Sequence, residues 1–200
     1  MKKVLFILSV FCSLTLSAQN YKHVKPLEIE AFIGPVYNLQ LEYRGRSINA
    51  ITVGIEGRYN ITNSPFSLGV RTSYTHYHTR SNPYSIQYQS YNFSGTFDYN
   101  FRYWKKINLF AGIGTGLSII DMFCYTNLPL IVQPTNGVKA SNCPYGGLIL
   151  PWNEYKMNFN PRVGAEFYNR IRVTTGFNFE EKKESYFYMT IGFVLGGRQK

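Results

Sequence analysis

Alternation of apolar and polar residues constrains this chain most, because it repeats with a period of two along most of the sequence. In the clearest run, aromatic residues at positions 91, 93, 97, 99 and 101 alternate with polar residues. Successive side chains of a β-strand point to opposite faces, so each run predicts a strand with one apolar and one polar face. The predicted strands are Glu28–Val36, Ile48–Ile61, Phe66–His78, Ser85–Arg102, Ile107–Ile119, Lys156–Tyr168, Ile171–Glu180 and Ser185–Leu195.

The connections between these runs alternate between short and longer ones. The short connections are 60–65, 103–106 and 169–170, and the others are 37–47, 79–84, 121–155 and 181–184. Short turns at one end and longer loops at the other are typical of bacterial outer-membrane barrels. The pattern predicts an all-β fold, an eight-stranded antiparallel up-and-down transmembrane β-barrel, with both mature termini on the periplasmic side. A soluble β-sandwich would also alternate, with its apolar face as the core.

The composition of the polar face favours the barrel over the sandwich. This face carries arginines and acids but, in our reading, no lysine, whereas Lys105, Lys106, Lys139, Lys182 and Lys183 fall in turns and loops. Arginine is favoured where a planar, forked donor must satisfy carboxylates with little water. We therefore predict a largely plugged interior with an ion-pair network of Glu56, Arg58, Arg71, Asp98, Arg102, Arg162, Glu166, Arg172 and Glu180, with Glu28 and Glu30 on the same face.

Glycines on the inward side of the fifth run fit a narrow interior. Gly112, Gly114 and Gly116 occupy successive inward positions. Glycine leaves room beside long side chains, and it also lets a strand bend around a small barrel. Both interpretations of the stripe stay open at this stage.

The first residues predict export. Lys2 and Lys3 precede an apolar stretch from Val4 to Leu16, and Ser17 and Ala18 supply a small-residue cleavage site. We therefore assign residues 1–18 to a signal peptide cleaved near Ala18, and residues 19–200 to the barrel domain in the bacterial outer membrane. An uncleaved anchor helix is the alternative, but the stretch is short for a bilayer span.

Aromatic content and charge agree with this location. The chain has 17 Tyr and 15 Phe, and barrels place aromatic residues at both membrane interfaces. The net charge of +10 would suit nucleic acid, but an exported chain without a nucleic-acid-binding motif does not support that partner. Outer-membrane lipids and anionic lipopolysaccharide are the partners that we expect instead.

The longest connection, residues 121–155, contains Cys124 and Cys143. An oxidising compartment permits these two cysteines to form a disulfide, and two free thiols are the alternative. A connection of this length usually carries function or disorder. We predict that any binding of an unknown surface ligand involves this segment.

Candidate catalytic residues lie near the outer end of the third run. His76 and His78 have Ser73, Thr75 and Ser81 nearby. Nucleophilic catalysis needs a hydroxyl within reach of a base that is itself oriented by an acid. The spacing here matches no such set, and the sequence has no phosphate loop, dinucleotide fingerprint or metal-ligand cluster. We therefore predict no catalytic residues, no metal and no cofactor.

Several segments resemble small outer-membrane barrel proteins of the broad OmpA/OmpX-like class, particularly those of Bacteroidetes. They are "NLFAGIGTGLS", "NITNSPFSLG" and the closing "SYFYMTIGFVLG". The last strand is similar to the C-terminal signal read by the barrel-assembly machinery, although it continues through Gly196 to Lys200. The resemblance implies a non-enzymatic barrel with a structural or surface-interaction role. A narrow channel or transport-accessory barrel and a lipid A-modifying enzyme are the alternatives.

Overall fold

The chain folds into eight consecutive antiparallel strands, as seen in a computed structural model. The structure describes residues 24–43, 46–62, 64–81, 84–101, 106–126, 152–180 and 185–198. The strands are β1 (Val24–Tyr43), β2 (Arg46–Asn60), β3 (Phe66–Ser81), β4 (Tyr84–Phe101), β5 (Ile107–Thr126), β6 (Trp152–Phe167), β7 (Ile171–Asn178) and β8 (Tyr186–Arg198). The described part of the chain contains no helix long and apolar enough to cross a membrane.

The sheet closes on itself, because each strand pairs with its sequence neighbours and β1 also pairs with β8. The register places Glu56 opposite Arg71 between β2 and β3, and Glu28 opposite Arg58 between β1 and β2. Closure removes the unpaired strand edges that an open sheet would present. The predicted all-β, eight-stranded up-and-down barrel is confirmed.

The two faces of the barrel have the polarity predicted from the alternation. Along β2, Thr52, Glu56 and Arg58 are buried inside, whereas Ile51 and Ile55 are more than half exposed on the outside. The same division holds around the barrel, where most large apolar side chains of the described strands face outward. The apolar face is therefore the outer surface of the barrel.

Strand lengths differ from the predicted ones at the end of the barrel that carries the longer connections. The predicted loop 37–47 is wrong, since β1 continues to Tyr43 and β2 begins at Arg46. The predicted loop 121–155 is also too long, because β5 runs to Thr126 and β6 begins at Trp152, which leaves residues 127–151 as the connection. Cross-strand pairing extends these strands beyond the segments with clear alternation.

An apolar cluster inside the barrel was not predicted. It lies toward the end with the longer connections and consists of Val36, Ala50, Tyr88, Ile120, Tyr186 and Tyr188. These residues occupy the inward-facing positions of their strands. In the middle of the barrel, most residues at such positions are polar. The interior therefore changes from charged to apolar along the barrel axis.

The inward glycines of β5 have different surroundings. A Cβ at Gly112 would clash with the carboxylate of Asp98, and one at Gly116 would clash with the backbone carbonyl of Phe93. At Gly114 the nearest atoms would be the Asn160 Cβ and Thr96 Cγ2 at 3.4 Å, which is ordinary contact. The stripe therefore makes room for a carboxylate at Gly112 and for a neighbouring strand at Gly116.

We expect alanine substitutions at two of these glycines to differ in their effect on stability. Gly116→Ala should destabilise the barrel by about 1–3 kcal/mol, because the backbone of β4 must move to accept the methyl group. Gly114→Ala, on the same face of the same strand, should change stability by less than about 1 kcal/mol. Thermal unfolding followed by circular dichroism measures both, and equal melting temperatures would contradict this description of the two sites.

Candidate functional site: the charged interior

Arg162 connects three strands across the middle of the barrel. Its guanidinium donates to both carboxylate oxygens of Glu56 at 2.6 and 2.7 Å, and to both oxygens of Asp98 at 2.8 and 2.9 Å. Glu56 lies on β2, Asp98 on β4 and Arg162 on β6. Bidentate pairing with two carboxylates uses the planar fork of arginine fully. Arg162 therefore links alternate strands through the lumen.

Arg58 forms a second junction toward the end of the barrel with the short turns. Its Nε lies 3.1 Å from Glu28, and its Nη1 lies 2.5 Å from Glu30 and 3.7 Å from Glu56. The other oxygen of Glu28 accepts a hydrogen bond from Asn60 at 2.7 Å. Strands β1 and β2 are thus joined by charges as well as by their backbone hydrogen bonds.

Arg172 of β7 connects these two junctions. Its Nη2 donates to Asp98 at 2.9 Å, and the guanidinium lies 3.7 Å from Glu30 and 3.6 Å from Glu166. Its carbon Cζ lies 3.4 Å above the ring centroid of Phe110. A guanidinium above an aromatic face gains a cation–π attraction. The junctions therefore belong to one continuous network.

Arg71 extends the network toward the apolar cluster. Its Nη1 lies 3.5 Å from Glu56, and its Cζ lies 3.9 Å above the Phe32 ring centroid. The same carbon is 5.2 Å from the ring centroid of Tyr188, a member of the apolar cluster. The aromatic rings therefore border the charged layer on the side of the cluster.

Burial makes these contacts energetically important. In the network, Glu56, Arg58, Arg162 and Arg172 have at most a few per cent of their surface exposed. An isolated ion in a low-dielectric interior costs several kcal/mol, which attraction offsets only when the geometry is good and the remaining polar atoms are bonded. Among the described residues, Glu30 Oε1 and Arg58 Nη2 have no hydrogen-bond partner. The network is thus dense but incompletely satisfied at its Arg58 junction.

Glu180 belongs to a separate polar cluster on the other side of Arg71. Its Oε1 accepts hydrogen bonds from Ser118 at 2.7 Å and from Asn178 at 2.6 Å. Ser118 also bonds with Asn92, and Asn158 donates to Ser118 at 2.9 Å. A polar pocket between the network and this cluster is lined by residues that include Arg71, Asn92, Asn160 and Tyr188.

The structure brings together most of the residues predicted for the lumen network and separates others. Glu56, Arg58, Arg71, Asp98, Arg162, Glu166 and Arg172 meet in the charged layer, and Glu28 and Glu30 join them. The prediction that no lysine lies on the inward face is wrong, because half-buried Lys156 occupies an inward-facing position on β6, two residues before Asn158. It lies near the outer end of that strand, where alternation alone cannot separate lumen from rim.

Several predictions fall outside the described residues. They are the signal peptide at residues 1–18, Arg102, and the Cys124–Cys143 disulfide, for which the side chain of Cys124 and all of Cys143 are not described. Sequence reasoning missed Asn92, Asn158 and Asn178 as members of the second cluster. Their inward parity was the available signal, but parity does not show which inward residues on different strands meet.

The candidate catalytic residues lie on opposite sides of the barrel wall. Ser73 and Thr75 follow the inward parity of β3, and Thr75 donates to Thr52 at 3.1 Å inside the lumen. His76 has the outward parity, is half-buried, and packs beside Tyr74 with ring centroids 6.2 Å apart. The wall therefore keeps His76 away from these two hydroxyls. Among the described residues, no group of three His, Cys, Asp or Glu side chains is placed to hold a metal ion.

Comparisons with known proteins locate this fold among small barrels. No protein-family model and no curated protein sequence matches the chain. Neisserial surface protein A matches with a TM-score of 0.56 and 11% identity, over 86% of this chain and 98% of that one. The N-terminal β-barrel domain of Pseudomonas aeruginosa OprF matches with a TM-score of 0.44 and 15% identity, over 87% and 98%. The outer-membrane enzyme PagL matches with a TM-score of 0.44 and 15% identity, over 84% and 99%. The likeness to Neisserial surface protein A is one of fold.

Removing Arg162 should be far more costly than removing an exposed arginine. Arg162→Ala leaves Glu56 and Asp98 buried without their main partner, so we expect a loss of about 3–5 kcal/mol. Arg170→Ala, at an exposed turn position, should change stability by less than about 0.5 kcal/mol. Urea titrations of the refolded variants measure both values. Unfolding of Arg162→Ala at the wild-type urea concentration would show that the network does not hold the barrel.

Proposed function

We propose that this chain, which has the eight-stranded fold of small outer-membrane barrels, is a non-enzymatic barrel inserted in the bacterial outer membrane. Its interior is largely plugged, and its role is structural or one of surface interaction through the connection between β5 and β6. Export by a signal peptide at residues 1–18 and assembly by the barrel-assembly machinery are parts of the same proposal.

The observation that carries this proposal is the apolar outer surface. Ile29, Ile55, Phe93, Ile113 and Phe193 lie on different parts of the wall, and each is about half exposed or more. The largest apolar patch of a soluble monomer is typically about 300–600 Å². A continuous apolar band around a barrel with a buried charged interior is the polarity that a lipid environment requires.

Aromatic pairs at both ends of the band support the same location. Tyr74 and Tyr91 pack with ring centroids 4.9 Å apart toward the end with the longer connections, and Phe66 and Tyr99 pack 5.4 Å apart at the other. Aromatic rings favour the boundary between hydrocarbon and headgroups, because their apolar bodies and polar edges are both satisfied there.

The described interior side chains support a plugged barrel rather than a channel. The charged layer connects β2 and β4 with β6 and β7, and the apolar cluster lies in the interior farther along the axis. An eight-stranded barrel is only wide enough for side chains to fill it. We therefore expect no stable single-channel conductance in planar lipid bilayers.

The connection lengths suggest the orientation and the partners. We infer that the short turns, the start of β1 and the end of β8 face the periplasm, as is usual for such barrels, and that the β5–β6 connection would face the cell exterior. Outer-membrane lipids and lipopolysaccharide then surround the apolar band. An unknown surface ligand would meet the connection between β5 and β6.

A charged substitution on the outer face tests membrane insertion. Ile113→Arg, near the middle of the band, should cost about 2–4 kcal/mol in lipid vesicles, whereas Ile107→Arg at the start of the same strand should cost about 0–1 kcal/mol. Both native side chains are partly exposed, at 49% and 38%. Unfolding titrations in vesicles give the two values. Equal small costs, or a native protein found only in the soluble periplasm, would refute the membrane proposal.

Protease access in intact cells tests the orientation. Trypsin added to whole cells should cleave after Lys139 in the β5–β6 connection, and the Lys139→Gln variant should lose that fragment. Cleavage after Lys106, at the opposite end, should require permeabilised cells. Cleavage after Lys106 in intact cells, with Lys139 protected, would show the reverse orientation.

A further inference from the structure

Exposed positive charge is concentrated at one end of the barrel. We call this the short-turn end: it contains the β2–β3, β4–β5 and β6–β7 connections, the start of β1 and the end of β8. Among the residues that the structure describes, the cationic positions there are Lys25, Lys106, Arg170 and Arg198. Lys106 and Arg170 are exposed, and Lys25 and Arg198 occupy the paired ends of β1 and β8.

No described acidic side chain lies on the surface beside Lys106 and Arg170, the two cations of this end whose side chains are described. The acids nearest to this end are Glu28, Asp98 and Glu166, and all three are buried inside the barrel. Glu28 lies 3.1 Å from Arg58, while Asp98 and Glu166 lie 2.9 and 3.6 Å from Arg172. The interior network therefore occupies the described carboxylates of this end and leaves Lys106 and Arg170 without a described acidic neighbour on the surface.

The opposite end differs in the sign of its described charges. The charged side chains described there are Asp121, Lys156 and Glu180, two acids and one cation. The described side chains are thus distributed asymmetrically in charge along the barrel axis. The basic excess lies away from residues 127–151, the side on which lipopolysaccharide would be expected.

The cations of the short-turn end border the apolar band. Leu27, Ile107 and Leu195 on three strands and Tyr168 in the β6–β7 turn are exposed at this end. The ammonium nitrogen of Lys106 lies 6.0 Å from the ring centroid of Tyr168. Long cationic side chains cover apolar surface with their stems while the charged groups reach the polar layer. The cationic positions lie at the start of β1, at the end of β8 and in the β4–β5 and β6–β7 connections, so they are distributed around the circumference, where lipid headgroups would lie.

We propose that the short-turn end binds the phosphate headgroups of anionic phospholipids in the leaflet that it contacts. The proposal rests on the membrane insertion argued above. Basic residues beside a membrane surface are attracted to anionic lipids, and the attraction adds up over several residues. Continuity with the apolar band favours a lipid over a soluble anionic polymer, because a polymer would not require the cations to border hydrocarbon.

The test uses the full chain in nanodiscs that contain equal amounts of phosphatidylglycerol and phosphatidylcholine. Native mass spectrometry of the released protein counts the lipids of each kind that remain bound. The wild type should retain phosphatidylglycerol preferentially, and the Lys106→Gln/Arg170→Gln variant should lose this preference by about threefold or more. The matched Arg46→Gln/Arg80→Gln variant, with the same change in net charge at the opposite end, should keep it.

The outcomes separate this proposal from the membrane proposal. On a gel, slower migration of the heated than of the unheated protein shows that a variant forms a barrel. Flotation of the protein with lipid shows insertion. If the protein inserts but retains both lipids equally, or both double variants lose the preference equally, the proposed binding end is wrong. The same holds if a soluble anionic glycan, such as a peptidoglycan fragment, binds through Lys106 and Arg170 while phosphatidylglycerol does not. If the wild type does not insert at all, the membrane proposal itself fails.

Discussion

The pairing of Arg162 with Glu56 and Asp98 is the interaction on which the interior of the barrel depends. One guanidinium on β6 satisfies two buried carboxylates, Asp98 on β4, two strands away, and Glu56 on β2, directly across the barrel. Each ion alone would be costly in this environment, so the three side chains are stable only together. Arg58 and Arg172 form similar contacts toward the short-turn end. The buried ions therefore belong to one network, in which each charge is stabilised by its partners.

This network explains the choice of residues that surround it. The inward glycine at position 112 leaves space for Asp98, and Gly192 leaves space for the side chain of Glu30. Phe110 and Phe32 provide ring faces for Arg172 and Arg71. Toward the longer connections the charges give way to the apolar cluster around Tyr88 and Ile120, where burial by itself is favourable. Charged and apolar packing thus occur at different heights in the same lumen.

The distribution of charge outside the lumen follows from the same design. The described acids of the short-turn end form ion pairs inside the barrel, so Lys106 and Arg170 remain as exposed cations beside the apolar band. The described surface is thus chemically polarised, with an apolar wall and exposed cations at the short-turn end.

The sequence by itself determined the closed all-β architecture, because period-two alternation fixes which side chains share a face and the short turns fix which strands are adjacent. It also identified Arg162, Asp98 and Glu56 as inward residues, because arginine and acids recur on that face. Only the tertiary structure decided which of them meet. Strands such as β2 and β6 face each other across the lumen although they are far apart in the sequence. It likewise decided that Val36 and Ile120 fill the interior and that Glu180 joins asparagines, because barrel stagger sets the height of each residue along the axis.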